Sequence, residues 1–129
     1  VSHLFDSQIS EDFEGRLDTG ADSTVIPARL VTQFDLMPTG LKQIRSYDGV
    51  VRTVRTYYVR IQILEKVFVV KVTTANRQNV LLGRDLLNQF NLYLHGRALV
   101  FEIELARDSF REFIRRALGR FAQIFARHT

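Results

Sequence analysis

The chain has 129 residues and a mass of 14.9 kDa, a length that suits one domain of ordinary size. Hydrophobic residues make up 46% and charged residues 25%, values close to the globular average, which argues against a disordered or fibrous chain. No apolar run reaches the roughly 18 residues that a membrane span needs, so a soluble folded protein is expected. The sequence contains no cysteine, which excludes disulfides and thiolate chemistry and predicts a reducing, cytoplasmic setting.

The net charge of +4 is confined to the C-terminal end of the chain. Residues 1–105 carry 12 basic and 12 acidic side chains, whereas residues 106–129 carry six arginines against Asp108 and Glu112. A neutral body lacks the broad cationic surface by which proteins usually bind phosphates. No nucleic-acid partner is therefore predicted.

In chain order, the first clear element is a strand that ends at the apolar Leu17, which the unusual Glu14-Gly15-Arg16 precede, and that leads into a tight turn at Asp18-Thr19-Gly20. A second strand through Val25 follows the turn, whereas residues 1–13 are only weakly strand-like, which counts against an N-terminal hairpin. Aspartate bonds its own backbone and glycine tolerates positive φ, so many proteins carry this tripeptide simply as a turn. Alone, the tripeptide does not assign a function.

Two hairpins are predicted in the middle of the chain. The dipeptide Asp48-Gly49 is a favourable hairpin turn. Residues 54–64 and 67–74 are rich in β-branched and aromatic side chains, and Glu65-Lys66 supplies a polar two-residue connection between them. These two segments therefore predict adjacent antiparallel strands.

A short helix and a further hairpin follow. Residues 84–90 present apolar side chains at helical spacing over about two turns. Residues 91–94 and 98–105 flank His95-Gly96-Arg97 as two strands whose alternation separates an apolar face from a glutamate face. The predicted apolar face comprises Leu99, Phe101, Ile103 and Leu105. The body of the chain is thus predicted to be all-β, or mainly β, with short helices.

The last predicted element is an amphipathic helix over residues 108–125, with apolar side chains at three- and four-residue intervals opposite arginines. The predicted organisation is a folded domain of residues 1–105 followed by a basic C-terminal helix in residues 106–129. Three roles for this helix stay open: packing on a dimer, contact of residues 107–127 with an anionic membrane, and docking of a partner. Packing is favoured because the phenylalanines of this region need burial.

Two motifs in a fixed order change the interpretation of the tripeptide. Residues 17–27 read LDTGADSTVIP, and about 60 residues later residues 81–87 read LLGRDLL. Together they resemble the retropepsin-like aspartic protease family, which includes retroviral proteases and their cellular and bacterial relatives. The resemblance covers residues 8–105 and is nearer to the cellular and bacterial members, because the chain continues past the second motif. It implies a closed-barrel-like protease domain over residues 1–105, with a flap hairpin and with C-terminal strands at a dimer interface.

The chemistry of peptide hydrolysis explains why such a chain needs a partner. One group must take a proton from water, and another must protonate the carbonyl or the departing amine. Two carboxyl groups about 3 Å apart share one proton and supply both roles. Since the chain holds one Asp-Thr-Gly and no second acid in a matching setting, an identical chain is the simplest source of the other carboxylate. The resemblance implies a homodimer in which Asp18 is catalytic, Thr19 braces the paired loops, and Gly20 lets substrate approach the backbone.

The resemblance also assigns residues that contact an extended peptide or protein substrate. Val25 and Leu81 are almost equally suited to ordinary core packing. An ion pair is implied between Asp22 and Arg84, with two exposed and unpaired side chains as the alternative. Residues 44–52 correspond to the flap, for which a plain surface hairpin is the alternative. The full substrate-binding set is Ala21, Asp22, Ser23, Val25, Tyr47, Asp48, Gly49 and Leu81.

The resemblance therefore predicts an aspartic endopeptidase that activates water without a metal or another cofactor. His3, His95 and His128 are scattered along the chain, and no spacing typical of metal ligands is present. The alternative is a non-catalytic dimeric module that binds peptides or regulates a partner on the same fold. Peptide cleavage distinguishes these two hypotheses.

Overall fold

The computed structural model describes residues 1–105, which belong to two compact units, Val1–Asn88 and Gln89–Thr129. The predicted helix over residues 108–125, with its proposed roles, lies outside the described residues. The described residues are built mainly from strands, so the predicted fold class is confirmed. Neither helix in this part of the chain is long enough to cross a membrane.

The described residues form nine strands and two short helices. In chain order they are β1 (Ser2–His3), β2 (Gly15–Leu17), β3 (Val25–Pro27), α1 (Arg29–Gln33), β4 (Gly40–Arg45), β5 (Val51–Ile63), β6 (Lys66–Ala75), β7 (Val80–Leu82), α2 (Arg84–Leu87), β8 (Phe90–His95) and β9 (Val100–Leu105). Strands β1 to β7 and both helices belong to the first unit, and strands β8 and β9 belong to the second.

The seven strands of the first unit form one sheet in the order β1-β5-β6-β3-β7-β2, with β4 paired to β5. Its longest pairing is the antiparallel β5–β6 hairpin, which runs from Tyr57↔Val72 to Ile63↔Lys66. Alternate side chains of this hairpin point into the core, as the period of two in a strand requires. The buried ones are Tyr57, Val59, Ile61, Val70 and Val72.

Three short strands bring the two sequence motifs together. β2 runs parallel to β7, while β3 runs antiparallel to β7 and parallel to β6. β7 therefore lies between the strand that enters the Asp18 turn and the strand that leaves it. This pairing places residues 17–27 beside residues 81–87, although about 60 residues separate them in sequence.

The predicted connection of the β5–β6 hairpin is wrong by one residue. Leu64 and Glu65 form the turn, because Ile63 already pairs with Lys66 and Leu64 adopts a φ of 58°. The register is fixed by the buried alternation of the two strands, and a shift of one residue would turn every core side chain outward. Lys66 is consequently the first residue of β6.

The predicted helix over residues 84–90 is shorter in the structure. α2 ends at Leu87, and Phe90 is the first residue of β8. Leu86 and Leu87 are both buried, so one helical turn is enough to cover the apolar side chains of this segment. The spacing of Phe90 fits a helix and a strand equally well, which is why the pattern misplaced the helix end.

Helix α1 has no counterpart among the predicted elements. It has five residues, and its N-cap Ala28 makes no side-chain hydrogen bond, so it lacks the usual signals of a helix start. Its C-terminal end is a Schellman motif, in which the N–H of Asp35 donates to Thr32 O (3.2 Å) and that of Leu36 donates to Val31 O (2.9 Å). Asp35 adopts the left-handed φ of 51° that this motif requires.

A short N-terminal hairpin is present despite its weak sequence pattern. The N–H of His3 donates to Ile9 O (2.9 Å), and Ser2 forms an isolated bridge with Ser10. β1 also pairs with β5 through Ser2↔Arg60. Backbone pairing with a long neighbouring strand thus orders a segment that has little apolar alternation of its own.

The second unit contains the predicted β8–β9 hairpin, paired from Phe90↔Leu105 to His95↔Val100. Leu99 is not part of the strand, contrary to the prediction, since it lies in the connection with a φ of 54° and is 92% exposed. At this side the connection is two residues longer than expected, because Ala98 and Leu99 both belong to it, so the pleated alternation begins at Val100.

Candidate active site

Asp18 lies directly after β2, where the parallel pairing with β7 ends. Its N–H still donates to Leu82 O at 3.0 Å, so the backbone of the residue is held by the sheet. Its carboxylate oxygen Oδ1 accepts the N–H groups of Gly20 (3.0 Å) and Ala21 (3.2 Å). In the described part of the chain no hydrogen bond reaches Oδ2. The turn therefore orients the carboxylate through one oxygen and leaves the other unbonded.

Thr19 and Gly20 follow Asp18 at the exposed tip of this turn. A Cβ at Gly20 would lie 3.2 Å from Asp18 Oδ1, which is tighter than an ordinary van der Waals contact. Glycine thus lets the backbone N–H of residue 20 come close to the carboxylate that it binds.

Behind the turn, Thr24 and Asp85 connect the two motifs. The hydroxyl of Thr24 donates to Asp85 Oδ1 (2.7 Å), and the N–H of Thr24 donates to Asp85 Oδ2 (3.0 Å). The N–H of Gly83 donates to Thr24 Oγ1 (3.2 Å). Thr24 is fully buried, so these bonds satisfy polar groups that water does not reach.

Gly83 and Arg84 bring the start of α2 against the same turn. A Cβ at Gly83 would lie 2.4 Å from the carbonyl carbon and 2.5 Å from the carbonyl oxygen of Ser23, which no side chain tolerates. The N–H of Arg84 donates to Ala21 O at 2.9 Å. The Leu-Leu-Gly-Arg segment is therefore a backbone support for the residues that follow Asp18.

The structure pairs Asp22 with Lys42 of β4. The ammonium of Lys42 donates to Asp22 Oδ1 (3.1 Å) and to Ser23 Oγ (2.8 Å). This hydrogen bond from Lys42 lowers the pKa of the Asp22 carboxyl below its usual value. The side chain of Arg84 is exposed and makes no hydrogen bond or ion pair within residues 1–105. The Asp22–Arg84 pair stays a prediction.

The residues assigned to substrate subsites fall into two groups. Ala21, Ser23, Val25 and Leu81 are half-buried around the turn, and Val25 pairs with Leu81 across β3 and β7. The second group, Tyr47, Asp48 and Gly49, forms the exposed tip of the β4–β5 hairpin. The structure brings the first group beside Asp18, and the hydrogen bonds of the second group stay within the hairpin tip.

The hairpin tip is a tight turn. The N–H of Ser46 donates to Val50 O (3.0 Å), the N–H of Gly49 donates to Ser46 O (2.9 Å), and Asp48 Oδ1 accepts the N–H of Val50 (3.0 Å). Gly49 has a φ of 79°, which glycine adopts at little cost. The predicted Asp48-Gly49 turn is thus present.

Sequence reasoning does not single out two polar residues of the site, namely Thr24 and Lys42. Their partners lie 20 or 61 positions away in sequence, and single polar side chains give no periodic signal. Among residues 1–105, no group of three or more histidine, aspartate or glutamate side chains is arranged to hold a metal ion. What the arrangement offers is an oriented carboxylate on a braced turn.

The family model described as gag-polyprotein putative aspartyl protease matches residues 10–89. The chain belongs to this family. The matched residues contain the Asp18 turn, the β4–β5 hairpin and α2. The match therefore includes both sequence motifs and the residues that join them by hydrogen bonds. The resemblance predicted from the two motifs is confirmed.

Two solved structures of a foamy viral protease-reverse transcriptase are similar to the chain. The one in complex with an RNA/DNA hybrid is 26% identical with a TM-score of 0.50, and the match covers 57% of this chain and 9% of that chain. The other, a dRH form in complex with double-stranded DNA, is 27% identical with a TM-score of 0.47, and the match covers 55% and 12%. The first similarity confirms the retropepsin-like fold. No curated relative matches the chain.

Proposed function

We propose that this aspartyl protease family member is an endopeptidase that hydrolyses peptide bonds as a homodimer, with one catalytic Asp18 from each chain. The observation that carries the proposal is the Asp18 carboxylate at the end of β2, oriented by the N–H groups of Gly20 and Ala21. A single chain supplies one such carboxylate, and general acid and base chemistry needs two groups.

The proposed reaction starts with a water molecule between the two carboxyl groups. One Asp18 takes a proton from the water molecule while the water oxygen attacks the carbonyl carbon of the peptide bond. The other Asp18 gives its proton to the carbonyl oxygen. A tetrahedral diol results. The C–N bond then breaks as the nitrogen takes the proton held by the first Asp18, while a diol hydroxyl returns a proton to the second. No bond forms between the substrate and the protein.

The surrounding residues have supporting roles in this proposal. The hydroxyl of Thr19 braces the two turns across the dimer axis, and Gly20 leaves room for substrate. The β4–β5 hairpin acts as the flap, with Tyr47, Asp48 and Gly49 at its tip. The contact of Lys42 with Asp22 and Ser23 supports the flap assignment, because it joins this hairpin to residues 18–23, which we call the catalytic turn.

The second unit is proposed to contribute to the dimer interface and to complete the protease domain over residues 1–105. Its hairpin exposes apolar side chains, with Leu94 73% and Val100 55% exposed. Apolar surface of this kind on paired strands is suited to burial against a second copy.

The test is cleavage of a diverse peptide library across pH by the parent protein and by Asp18→Asn. We expect the parent protein to cut and the variant to lose about 10²- to 10⁴-fold in rate, because one acid-base group of the pair is lost. Asp35→Asn is the matched control, since Asp35 is an exposed loop acid outside the site. If the parent protein dimerises and binds peptides but cuts none of them, the non-catalytic module is correct.

A further inference from the structure

The β4–β5 hairpin has two sides that its register defines. Residues directly opposite each other in an antiparallel pair place their side chains on the same side. Lys42 lies opposite Val54, and Ile44 lies opposite Arg52. Both of these pairs lie on one side, which we call the inner side. The outer side carries the alternating pairs Leu41↔Arg55, Gln43↔Thr53 and Arg45↔Val51.

The contacts of Lys42 identify the inner side as the one that faces the catalytic turn. Its ammonium lies 3.1 Å from Asp22 Oδ1 and 2.8 Å from Ser23 Oγ, four and five positions after Asp18. Burial agrees with this orientation. The inner-side residues Lys42, Ile44 and Val54 are half-buried, whereas Leu41 and Val51 on the outer side are 73% and 48% exposed.

The two inner-side cations differ in how their charge is compensated. Lys42 is neutralised by Asp22. Arg52 is exposed, and within residues 1–105 it makes no hydrogen bond or ion pair. The acid of the hairpin tip, Asp48, accepts the N–H of Val50 instead of pairing with Arg52. The inner side therefore presents two aliphatic side chains, Ile44 and Val54, beside one uncompensated guanidinium.

We propose that Arg52 is a specificity-determining residue, which favours peptides that carry an ionised aspartate or glutamate beside an aliphatic residue. The inference rests on the proposed function, because it takes the hairpin as a cover over a bound peptide. A guanidinium donates two parallel N–H bonds to a carboxylate, whereas an amide or an ammonium group in the same place is matched poorly or repelled. Ion pairs of this exposure change affinity by about two- to fivefold.

The test uses synthetic extended peptides with a central pair of aliphatic residues. Glutamate is scanned through the flanking positions, and each peptide has a glutamine and a lysine counterpart. Binding is measured by fluorescence anisotropy with Asp18→Asn, and kcat/KM is measured with the parent protein. At the responsive position we expect glutamate to exceed glutamine by about two- to fivefold and lysine to be weakest.

The matched variants are Arg52→Gln on the inner side and Arg55→Gln on the outer side of the same hairpin. The glutamate preference is expected to vanish in the first and to persist in the second. Arg52→Glu is expected to favour the lysine peptide instead. The preference of the parent protein is also expected to fade as the pH falls through the ordinary pKa of a glutamate side chain, about 4.3, because the protonated acid resembles glutamine.

Equal binding of the glutamate and glutamine peptides at every position overturns the inference, as does a preference that survives Arg52→Gln or the absence of any peptide binding. Failure of the proposed function has a different signature. In that case the parent protein cuts no peptide at any pH. The role of Arg52 is then decided by binding alone, measured with Asp18→Asn and with the double variant that carries both Asp18→Asn and Arg52→Gln.

Discussion

At the scale of single residues, Gly83 joins the two halves of the candidate active site. Its α-carbon lies so close to Ser23 that an added Cβ would meet backbone atoms at 2.4 and 2.5 Å. Backbone atoms cannot rotate away as a flexible side chain does, so Gly83→Ala must displace the turn or α2. We expect a loss of about 1–3 kcal/mol in the free energy of unfolding, measured by urea titration at fixed protein concentration.

Gly96→Ala is the control for this prediction. Gly96 lies in the β8–β9 connection, and among residues 1–105 no atom beyond its own and those of its two chain neighbours lies within 4 Å of a Cβ built there. Its substitution is expected to change stability by less than about 0.5 kcal/mol. Equal stability of the two variants would contradict the contact between Gly83 and Ser23.

The sequence predicts the residues of the site better than it predicts their partners. Asp18, Thr19 and Gly20 are singled out by the resemblance that two motifs in a fixed order carry, since the turn alone assigns no function. The partnership of Asp22 with Lys42 joins residues 20 positions apart, and that of Thr24 with Asp85 joins residues 61 apart. Such pairs depend on how the sheet folds, so the sequence alone does not distinguish Lys42 from Arg84 as the cation beside Asp22.

At the scale of elements, an ion pair between Glu11 and Arg29 connects the segment before β2 to α1. The guanidinium of Arg29 donates to both carboxylate oxygens of Glu11, at 2.8 Å to Oε2, and it also lies 5.3 Å from the ring centroid of Phe13. Gln33 Nε2 donates to Glu11 Oε2 at 2.9 Å. The hydrogen bond from Arg29 lowers the pKa of Glu11 to about 2.

The lowered pKa of Glu11 predicts how the ion pair between Glu11 and Arg29 responds to acid. A carboxyl group whose pKa is depressed in the folded state stabilises that state at any pH above its ordinary pKa of 4.5. The contribution is lost as the pH falls from 4.5 towards the folded-state pKa of about 2. Arg29→Ala is expected to return the pKa of Glu11 towards 4.5, which a carboxyl NMR titration measures. Arg29→Lys retains the charge but not the paired geometry, so an intermediate pKa is expected. Titration of Glu11 near 4.5 in the parent protein would contradict the pair.

The elements that could be predicted are those with a repeated pattern. The alternation in β5 and β6 extends over ten or more residues and identified the hairpin, with an error of one residue in its turn. α1 has five residues, too few for a helical period to appear, whereas the spacing in residues 84–90 predicts α2 but not its end at Leu87. Buried leucines hold both helices, and N–H groups at their starts donate to Ala75 O of β6 and to Ala21 O of the Asp18 turn. These are tertiary effects that a local pattern does not contain.

At the scale of the whole molecule, the proposed activity belongs to two chains and not to one. One Asp-Thr-Gly turn supplies one carboxylate, and the hydrolysis of a peptide bond needs a base and an acid at the same time. Every role proposed for Thr19, for the flap and for the second unit depends on that pairing. Oligomeric state and activity are therefore expected to change together when protein is diluted.

The most direct measurement mixes parent protein with Asp18→Asn at constant total concentration, after subunits have exchanged, and follows peptide cleavage. If each site needs both carboxylates, activity falls as the square of the parent fraction, and an equal mixture retains about a quarter of the rate. A linear fall, with about half of the rate retained in the equal mixture, would mean that each chain cuts independently and would contradict the shared site.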